Sequence, residues 1–118
     1  MHSTLQEKRK SAYRWGKIAE KITYFLLTLK GYRILAHNYK TPVGEIDLIA
    51  RKGNMIVYIE VKARDTKTEA LDALAPQQRR RIEHAALVHQ QRENINAENY
   101  RFDLVLCTKD ALPSHIKQ

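Results

Sequence analysis

Apolar residues in the first quarter of the chain recur at steps of three and four, which is the period of an amphipathic helix. Gly31 follows this segment and suits the left-handed backbone that ends many helices. The pattern predicts a first helix from about Lys8 to Lys30, preceded by a frayed start over residues 1–7. The positions expected to face the core are Trp15, Ile18, Ile22, Phe25, Leu26 and Leu29.

Three segments after this helix are rich in β-branched and aromatic residues without helical spacing, which favours strands. We predict strands over Tyr32–Asn38, Glu45–Arg51 and Met55–Ala63. The last two are joined by a hairpin turn at Gly53-Asn54, residue types that tolerate positive φ. The polar stretch 64–75 is predicted to be a loop.

Pro76 suits the first turn of a second helix, which is predicted to reach about Arg92. Its apolar positions are Ile82, Ala85, Ala86 and Val88. Tyr100–Cys107 is the last predicted strand. At 118 residues the chain is expected to form a single α/β domain, with the order α-β-β-β-α-β and a mixed central sheet flanked by helices.

The two-residue turn fixes the register of the hairpin, because Lys52 then pairs with Met55 and each further pair follows from it. One face carries only apolar pairs and is expected to be buried: Ile46 with Val61, Leu48 with Ile59, and Ala50 with Val57. The other face carries Ile49 with Tyr58, Asp47 with Glu60, and Glu45 with Lys62. This register brings two carboxylates directly opposite each other.

Opposed carboxylates repel each other, and a hard divalent cation offsets that repulsion. Mg²⁺ or Mn²⁺ fits, since such ions bind one or two carboxylates and leave positions for water and phosphate. The pattern predicts a metal site at Asp47 and Glu60, with Glu45 as a supporting residue beside Lys62. An ordinary solvated sheet face is the alternative interpretation.

Charge is distributed unevenly along this basic chain, whose formal net charge is +8. Residues 1–43 carry +7, residues 44–75 carry −1 and residues 76–118 carry +2. An acidic segment enclosed by basic ones is expected of a cation site within a surface that binds a polyanion. A protein that is merely basic is the alternative.

Two groups of basic side chains are candidate contacts for nucleic acid. Arg79, Arg80 and Arg81 begin the second predicted helix, where they oppose its dipole, so helix stability does not explain them. Guanidinium groups suit phosphates, although a solvated helix turn is the simpler interpretation. The second group, for which a solubilising role is the alternative, consists of Lys17 with Lys8, Arg9, Lys10 and Arg14.

Several classes of protein are disfavoured by the sequence. No apolar run is long enough to span a membrane and no signal sequence opens the chain, so we expect a soluble cytoplasmic protein without a membrane partner. Patterns for acyl transfer, nucleotide hydrolysis, hydride transfer and zinc binding do not occur.

The motif Gly44-Glu45-Ile46-Asp47-Leu48-Ile49-Ala50, followed by Ile59-Glu60-Val61-Lys62-Ala63-Arg64, resembles the core of a bacterial family known as YraN-like or UPF0102. The resemblance extends to Gly16, Ala19-Glu20, Gly31-Tyr32 and Asn38 before the hairpin, and to Arg101-Phe102-Asp103 after it. That family in turn resembles the PD-(D/E)XK superfamily of restriction endonucleases and archaeal Holliday-junction resolvases.

The resemblance implies a restriction-endonuclease-like fold and a role for each matching residue. Asp47 and Glu60 would be the metal-binding carboxylates, Lys62 the catalytic lysine, and Glu20 an additional acid near the metal. From helical spacing alone, Glu20 lies far from the centre of the apolar stripe, although Gly16, Thr23 and Leu27 leave a second contact face open. Arg64, which ends the matching segment, joins the predicted nucleic-acid contacts.

The chain departs from the family pattern in two places. Ile46 stands where the superfamily has its proline, a replacement that is usual in the YraN-like branch. The second helix has Gln77-Gln78-Arg79 where relatives tend to carry a lysine before an arginine-rich run, so a phosphate contact is expected to have moved to arginine.

These features together predict a Mg²⁺- or Mn²⁺-dependent endonuclease that hydrolyses phosphodiesters in DNA, including branched or structured DNA. A nucleic-acid-binding module that keeps the fold without catalysis is the alternative function. Related resolvases are dimers because they cut two strands symmetrically, so a homodimer is expected by analogy alone.

Overall fold

The computed structural model describes residues 4–72, 76–95 and 99–117. Within these ranges the elements follow in the order α1 (Leu5–Leu29), β1 (Arg33–Thr41), β2 (Gly44–Lys52), β3 (Met55–Arg64), α2 (Lys67–Asp72), α3 (Pro76–Arg92), β4 (Tyr100–Thr108) and β5 (Ser114–Lys117). The predicted α/β class and the order α-β-β-β-α-β are confirmed. Two further elements, α2 and β5, were not predicted.

The unpredicted elements are short, which is why hydrophobic periodicity does not reveal them. The helix α2 lies inside the predicted loop 64–75, of which residues 73–75 fall outside the described ranges. Its start is stabilised because the Thr66 hydroxyl accepts a hydrogen bond from the Glu69 N–H at 3.3 Å. The strand β5 is polar and is fixed by antiparallel pairing with β4.

The start of α1 is more ordered than the sequence predicts. Thr4 and Glu7 form a capping box, in which each side chain accepts a hydrogen bond from the other residue's backbone N–H. Residues 4–7 are therefore not frayed, and the remainder of that prediction, residues 1–3, lies outside the described ranges.

The five strands form one mixed sheet in the order β1-β2-β3-β4-β5. The pairs β1–β2, β2–β3 and β4–β5 are antiparallel, whereas β3 and β4 are parallel and are connected through α2 and α3. A mixed sheet flanked by helices is as predicted. None of the helices in the described ranges combines the length and apolar character needed to cross a membrane.

The helix α1 packs on one face of the sheet through a side that only partly matches the predicted stripe. Trp15, Ile22 and Leu26 pack against the core as predicted, although each is only partly buried. Ala19, Thr23 and Leu27 are fully buried, whereas Phe25 and Leu29 are 67% and 74% exposed. Ile18 is also exposed. The small residues allow a close approach, with the Thr23 hydroxyl donating to the Ala19 carbonyl and lying 3.7 Å from the Cys107 sulfur. The contact face is therefore rotated away from the predicted stripe.

The helix α3 covers the opposite face of the sheet. Its predicted apolar positions Ile82, Ala85 and Ala86 are buried and pack against Ile49 and Tyr58. The Tyr58 hydroxyl lies 2.9 Å from His89 Nδ1, so its polar group is satisfied within this layer. The structure confirms that the hairpin face carrying Ile49 and Tyr58 is covered rather than solvated.

Gly44 is the point at which α3 approaches the sheet most closely among the glycines of the chain. A Cβ atom at this position would lie 2.8 Å from the Arg81 carbonyl oxygen. Because that atom belongs to a helix backbone, the contact cannot be relieved by a side-chain rotation.

We expect Gly44→Ala to lower the free energy of unfolding by about 1–3 kcal/mol, the usual cost of overpacking. Urea denaturation at neutral pH measures the change. Gly16→Ala is the matched control, because nothing lies within 4 Å of the Cβ position there. Alanine inside a helix should stabilise that variant by about 0.5–1 kcal/mol. Equal effects of the two substitutions would contradict the close contact at Gly44.

Candidate metal centre

Along β2, the side chains cease to alternate regularly between the two faces of the sheet at Asp47. Ile46 and Ile49 both pack in the apolar cluster against α3, although residues three apart in a regular strand face opposite sides. Leu48 belongs to the cluster on the α1 side. The prediction that Ile46 shares the face of Leu48 is therefore wrong, and Asp47 is turned toward the α1 side of the sheet.

The neighbouring strand β1 carries a matching irregularity. Ala36 and Tyr39, again three residues apart, pack against the α3 cluster, and Asn38 between them has a φ of 49°. Asparagine is one of the few residues that adopt this left-handed conformation at small cost. His37 and Tyr39 pair with β2 on either side of this position. The irregularities in β1 and β2 thus lie side by side.

The pairing of β2 with β3 follows the predicted register from Lys52 and Met55 to Leu48 and Ile59, where the described pairing ends. Beyond that point Asp47 Oδ2 accepts a hydrogen bond from the backbone N–H of Val61 at 2.8 Å. A side-chain carboxylate thus binds an N–H group of β3 at the point where the two strands cease to pair. The predicted pairs Asp47–Glu60, Ile46–Val61 and Glu45–Lys62 do not form.

Regular alternation along β3 keeps Glu60 and Lys62 on the face of Tyr58, so the prediction that Asp47 shares their face is wrong. The Asp47 carboxylate is nevertheless close enough to Glu60 and Lys62 for their charges to shift its pKa. Lys62 Nζ is 2.8 Å from Glu60 Oε1, and the two side chains are only 10% and 14% exposed. The ion pair of Lys62 is with Glu60, where the sequence register predicts Glu45. Glu45 itself is exposed and stands opposite Lys40 of β1.

Glu20 reaches this site from α1. With Asp47 it lines a cavity of about 290 Å³, whose other lining residues are Lys17, Lys21, Tyr24, His37, Asn38 and Leu48. Glu20 follows Ala19 on the buried side of the helix, so the rotation of the contact face moves it from an outlying position to the edge of the packed surface. Glu20, Glu60 and Lys62 thus all lie within electrostatic reach of Asp47, although only Glu20 shares the cavity with it.

Burial is the main cause that raises the pKa of Asp47, to about 6 from an ordinary value of 3.8. The hydrogen bond from the Val61 N–H opposes this rise, the charges of Glu60 and Glu20 add to it, and the Lys62 ammonium lowers it. Asp47 is ionised at neutral pH but lies in an environment with more negative than positive charge. A bound cation would relieve that excess.

Within the described ranges, no three or more His, Cys, Asp or Glu side chains lie close enough together to hold a metal ion. The predicted metal site needs fewer than three such side chains, since its protein ligands are only the carboxylates of Asp47 and Glu60. Mg²⁺ commonly uses one or two carboxylates and completes its octahedral shell with water and substrate phosphate. The donor chemistry at Asp47 and Glu60 therefore fits such an ion.

The predicted arginine group divides into one partnered and two exposed side chains. Arg79 is 3.0 Å from Glu83 and lies over the Phe102 ring at 4.6 Å, so its guanidinium has partners within the protein. Arg80 and Arg81 are exposed. Since the backbone of Arg81 contacts Gly44 at the start of β2, these arginines lie at the end of the sheet that carries Asp47.

The other predicted basic contacts, Arg64 and Lys17, flank the site. The Arg64 guanidinium donates through Nη1 to the Ala63 carbonyl at 2.8 Å, and the Arg64 carbonyl accepts a hydrogen bond from the Trp15 indole. Lys17 lies 3.6 Å from Glu20 and lines the same cavity as Asp47. Lys17 is thus at the predicted metal centre, whereas Arg64 lies two residues beyond Lys62.

Sequence reasoning did not select Lys21, Tyr24 and His37, which line the Asp47 cavity. A signal for the first two was present, because Lys17, Glu20, Lys21 and Tyr24 are spaced three, four and seven residues apart and share one helix face. His37 gives no such signal, since its position depends on the pairing of β1 with β2.

The Arg101-Phe102-Asp103 motif forms a second charged cluster away from this site. Asp103, whose side chain is fully buried, accepts two hydrogen bonds from Arg101 at 2.6 and 2.8 Å and lies 2.7 Å from His115. Arg101 also donates to the Tyr32 hydroxyl at 2.9 Å. The motif therefore links β4, β5 and Tyr32, three residues after the end of α1, through a network of hydrogen bonds.

We expect Asp47→Asn to be more stable than the parent protein at neutral pH. Because folding raises the Asp47 pKa from 3.8 to about 6, the native state holds a proton that the unfolded chain has released, and the Asp47 contribution to stability falls as pH rises through this window. Asparagine keeps an acceptor for the Val61 N–H without the charge. One pKa unit corresponds to about 1.4 kcal/mol, so the gain at pH 7 relative to pH 4 is at most about 3 kcal/mol.

Urea denaturation at several pH values between these limits tests this expectation. Asp110→Asn, which removes an exposed carboxylate after β4, is the matched control. A pH-dependent gain of the same size for Asp110→Asn, or none for Asp47→Asn, would contradict the assignment to the buried carboxylate.

Comparison with known proteins identifies the family of this chain. The family model described as Uncharacterised protein family UPF0102 matches residues 19–107. A UPF0102 protein of Chelativorans sp. strain BNC1 is 46% identical over 110 residues, which cover 92% of this chain and 89% of that protein. UPF0102 proteins of Brucella canis (44% identity, 95% and 90% coverage) and Maricaulis maris (44% identity, 91% and 85% coverage) are similar to it. The chain therefore belongs to protein family UPF0102.

Proposed function

We propose that this protein is a metal-dependent endonuclease of the restriction-endonuclease-like type that hydrolyses phosphodiester bonds in DNA, with branched or structured DNA as its substrate. The observation that carries the proposal is the position of the Asp47 carboxylate, which binds the Val61 N–H beside the Glu60–Lys62 ion pair. Oxygen ligands and a buried cation thus meet where β2 and β3 separate.

The chain's own residues supply distinct functions in this proposal. Asp47 and Glu60 would hold Mg²⁺ or Mn²⁺, and the bound ion would polarise the phosphate and lower the pKa of the attacking water. Lys62, held near Glu60 in a mostly buried position, would stabilise negative charge that develops on the phosphate oxygens. Glu20, at the edge of the same cavity, would accept hydrogen bonds from water.

The surface around the cavity suits a polyanion. Lys17 and Lys21 line the cavity itself, and Arg80 and Arg81 are exposed at the same end of the sheet. The formal net charge of +8 favours binding of DNA through its phosphates. DNA as the substrate would place the protein in the cytoplasm, and cutting of both strands of a symmetric junction would require a homodimer.

A nucleic-acid-binding module without catalysis is the second candidate function. It is favoured by the direct contact of Lys62 with Glu60 at 2.8 Å, because these two groups already neutralise each other without a metal. In that case the basic surface would bind nucleic acid and the acids would serve only to position Lys62.

Cleavage assays separate these two functions. We expect the protein with Mg²⁺ or Mn²⁺ to cut at least one of four labelled substrates: a flap, a four-way junction, a single strand or a duplex. Asp47→Asn, Glu60→Gln and Lys62→Met should each reduce the cleavage rate by more than about 100-fold, since even outer-shell changes at metal sites cost 10–100-fold. Gel-resolved product formation under single-turnover conditions measures the rate.

Asp110→Asn is the matched control and should cleave at the parental rate. Isothermal titration with Mn²⁺ should detect binding to the parent protein and none to Asp47→Asn. If no substrate is cut with either metal while DNA still binds, the non-catalytic function replaces the nuclease. Retained cleavage in Asp47→Asn would show that a different site is responsible.

We expect Arg80→Gln and Arg81→Gln to weaken DNA binding and to make it less sensitive to salt. Each lost phosphate contact should reduce the slope of log K against log salt concentration by about one. Fluorescence anisotropy of a labelled duplex across a salt series measures both quantities. Arg92→Gln, at the other end of α3, is the control and should leave the slope unchanged.

A further inference from the structure

A second cavity, of about 520 Å³, lies between the first half of α1 and the ends of β3 and β4. We call it the Trp15 cavity. It begins at Ala63, the residue after Lys62, and it shares no lining residue with the cavity at Asp47. Its charged lining residues are Glu7, Lys8, Arg64, Asp65, Glu69 and Lys109.

The position of the Trp15 cavity in the fold is one where ligands bind. The strands β3 and β4 are parallel, so their carboxyl ends meet at one edge of the sheet, close to Arg64 and Thr108. In α/β sheets, ligands occupy the crevice outside the carboxyl ends of parallel strands. The volume is within the range of small-molecule sites, roughly 300–1,000 Å³.

The Trp15 cavity is also close to the proposed catalytic residues. Arg64 follows Lys62 by two residues on β3, which corresponds to about 7 Å along a strand. On α1, Trp15 precedes Glu20 by five residues, or about 7.5 Å along the helix axis. Both separations are comparable to the spacing of neighbouring nucleotides in an extended single strand.

The indole of Trp15 is held in a fixed orientation at this cavity. Its Nε1–H donates to the Arg64 carbonyl at 2.9 Å, and the ring packs in part against the core on the α1 side of the sheet. Lys109 Nζ lies over the ring, 5.7 Å from its centroid. Lys109 is itself held by an ion pair with Asp65 at 3.2 Å. A preorganised, half-buried aromatic ring is the type of platform on which unpaired bases stack. A base would stack in place of Lys109, whose side chain is exposed and is held by the exposed pair with Asp65.

The lining of the cavity favours a neutral ring system over an isolated anion. Three carboxylates, of Glu7, Asp65 and Glu69, stand beside three cations, so a bare phosphate would meet as much repulsion as attraction. A nucleobase, in contrast, presents both hydrogen-bond donors and acceptors on its edge. Exposed basic residues farther along α1, Lys10 and Arg14, are available for the attached phosphates.

We propose that the Trp15 cavity binds one unpaired nucleotide of the DNA substrate, with its base stacked on the Trp15 indole, next to the scissile phosphate. The inference rests on the proposed function and restricts the class of DNA substrate. A base inside a duplex must be unstacked and unpaired before it can enter this cavity, at a cost of a few kcal/mol, so an already unpaired nucleotide is favoured. The substrate class is therefore DNA with a single-stranded segment at the cut.

Trp15 is the single tryptophan of the chain, which makes its fluorescence a direct probe of this cavity. We titrate the metal-free protein at fixed salt with single-stranded oligothymidylate and with a blunt hairpin duplex of equal phosphate number. Saturable quenching by the single strand, at least threefold stronger than by the duplex, is expected. Equal quenching by both, or no quenching while anisotropy of a labelled strand reports binding, would overturn the proposal.

Substitutions at Trp15 separate stacking from a structural role, with anisotropy of the labelled strand as the readout. Trp15→Ala should weaken single-strand binding about tenfold, as expected for loss of one stacked base. Trp15→Phe keeps an aromatic face without the N–H and should stay within about threefold of the parent. Tyr13→Ala removes an exposed aromatic of the same helix that does not line the cavity, and should bind as the parent does.

The outcomes for Trp15→Phe decide between the two roles. If Trp15→Phe loses as much affinity as Trp15→Ala, the contribution comes from the hydrogen bond to Arg64 rather than from stacking, and the proposal fails. Thermal unfolding of each variant shows whether the fold is intact, and the quenching experiment tests the proposal in the parent protein even when Trp15→Ala does not fold.

Failure of this inference is distinguishable from failure of the nuclease. Strand-selective quenching without cleavage of any substrate would retain the nucleotide site and remove the nuclease. Equal cleavage of single strands and continuous duplex, without strand-selective quenching, would retain the nuclease and remove the nucleotide site.

Discussion

The hydrogen bond from the Val61 N–H to the Asp47 carboxylate is the contact on which the proposed site depends. It lies where main-chain pairing of β2 and β3 ends, and it supplies Val61 with an acceptor while the strands separate. A hydrogen bond to a charged acceptor contributes roughly 1.5–3 kcal/mol, which offsets part of the cost of burying the carboxylate. The raised pKa of Asp47 shows that the offset is incomplete. Asp47 is therefore held beside Glu60 at a cost in stability.

Small residues on α1 determine which acid joins that pair. Ala19 and Thr23 let the helix approach the sheet closely, and the larger residues Phe25 and Leu29 are left in solvent. Glu20, next to Ala19, then reaches the cavity at Asp47. Had the larger apolar stripe faced the core, Glu20 would have been directed away from the sheet. The face of α1 that contacts the sheet therefore determines both how the helix packs and where Glu20 lies.

Local signals in the sequence were sufficient for the element order and for the start of the hairpin. Gly53-Asn54 fixes the register because a two-residue turn leaves only one way to pair the strands, and the structure follows it as far as Leu48 and Ile59. The prediction failed at Asp47, where the matching irregularity at Asn38 belongs to another strand. On α1 it was right for Trp15, Ile22 and Leu26 and wrong for Ile18, Phe25 and Leu29, because counting large apolar residues ignores how closely a helix can approach through alanine and threonine. Both failures concern contacts between elements, which hydrophobic periodicity does not encode.

The two buried charge clusters of this protein differ in how completely their charge is compensated. Asp103 accepts a bidentate pair of hydrogen bonds from Arg101 and a contact from His115, and its partners are themselves held by Tyr32 and Lys30. Such a network is complete and stabilises the packing of β4, β5 and the end of α1.

Around Asp47, in contrast, the charges of Glu60 and Glu20 add to the carboxylate's own, and the Lys62 ammonium opposes them, with Lys17 beside Glu20. A fold selected for stability alone would not keep an under-compensated buried carboxylate, since its neutral isostere avoids the cost. Residues held against stability are characteristic of functional sites, where a ligand supplies the missing charge. This difference in charge compensation makes Asp47, and not the fully partnered Asp103, the position to test for activity.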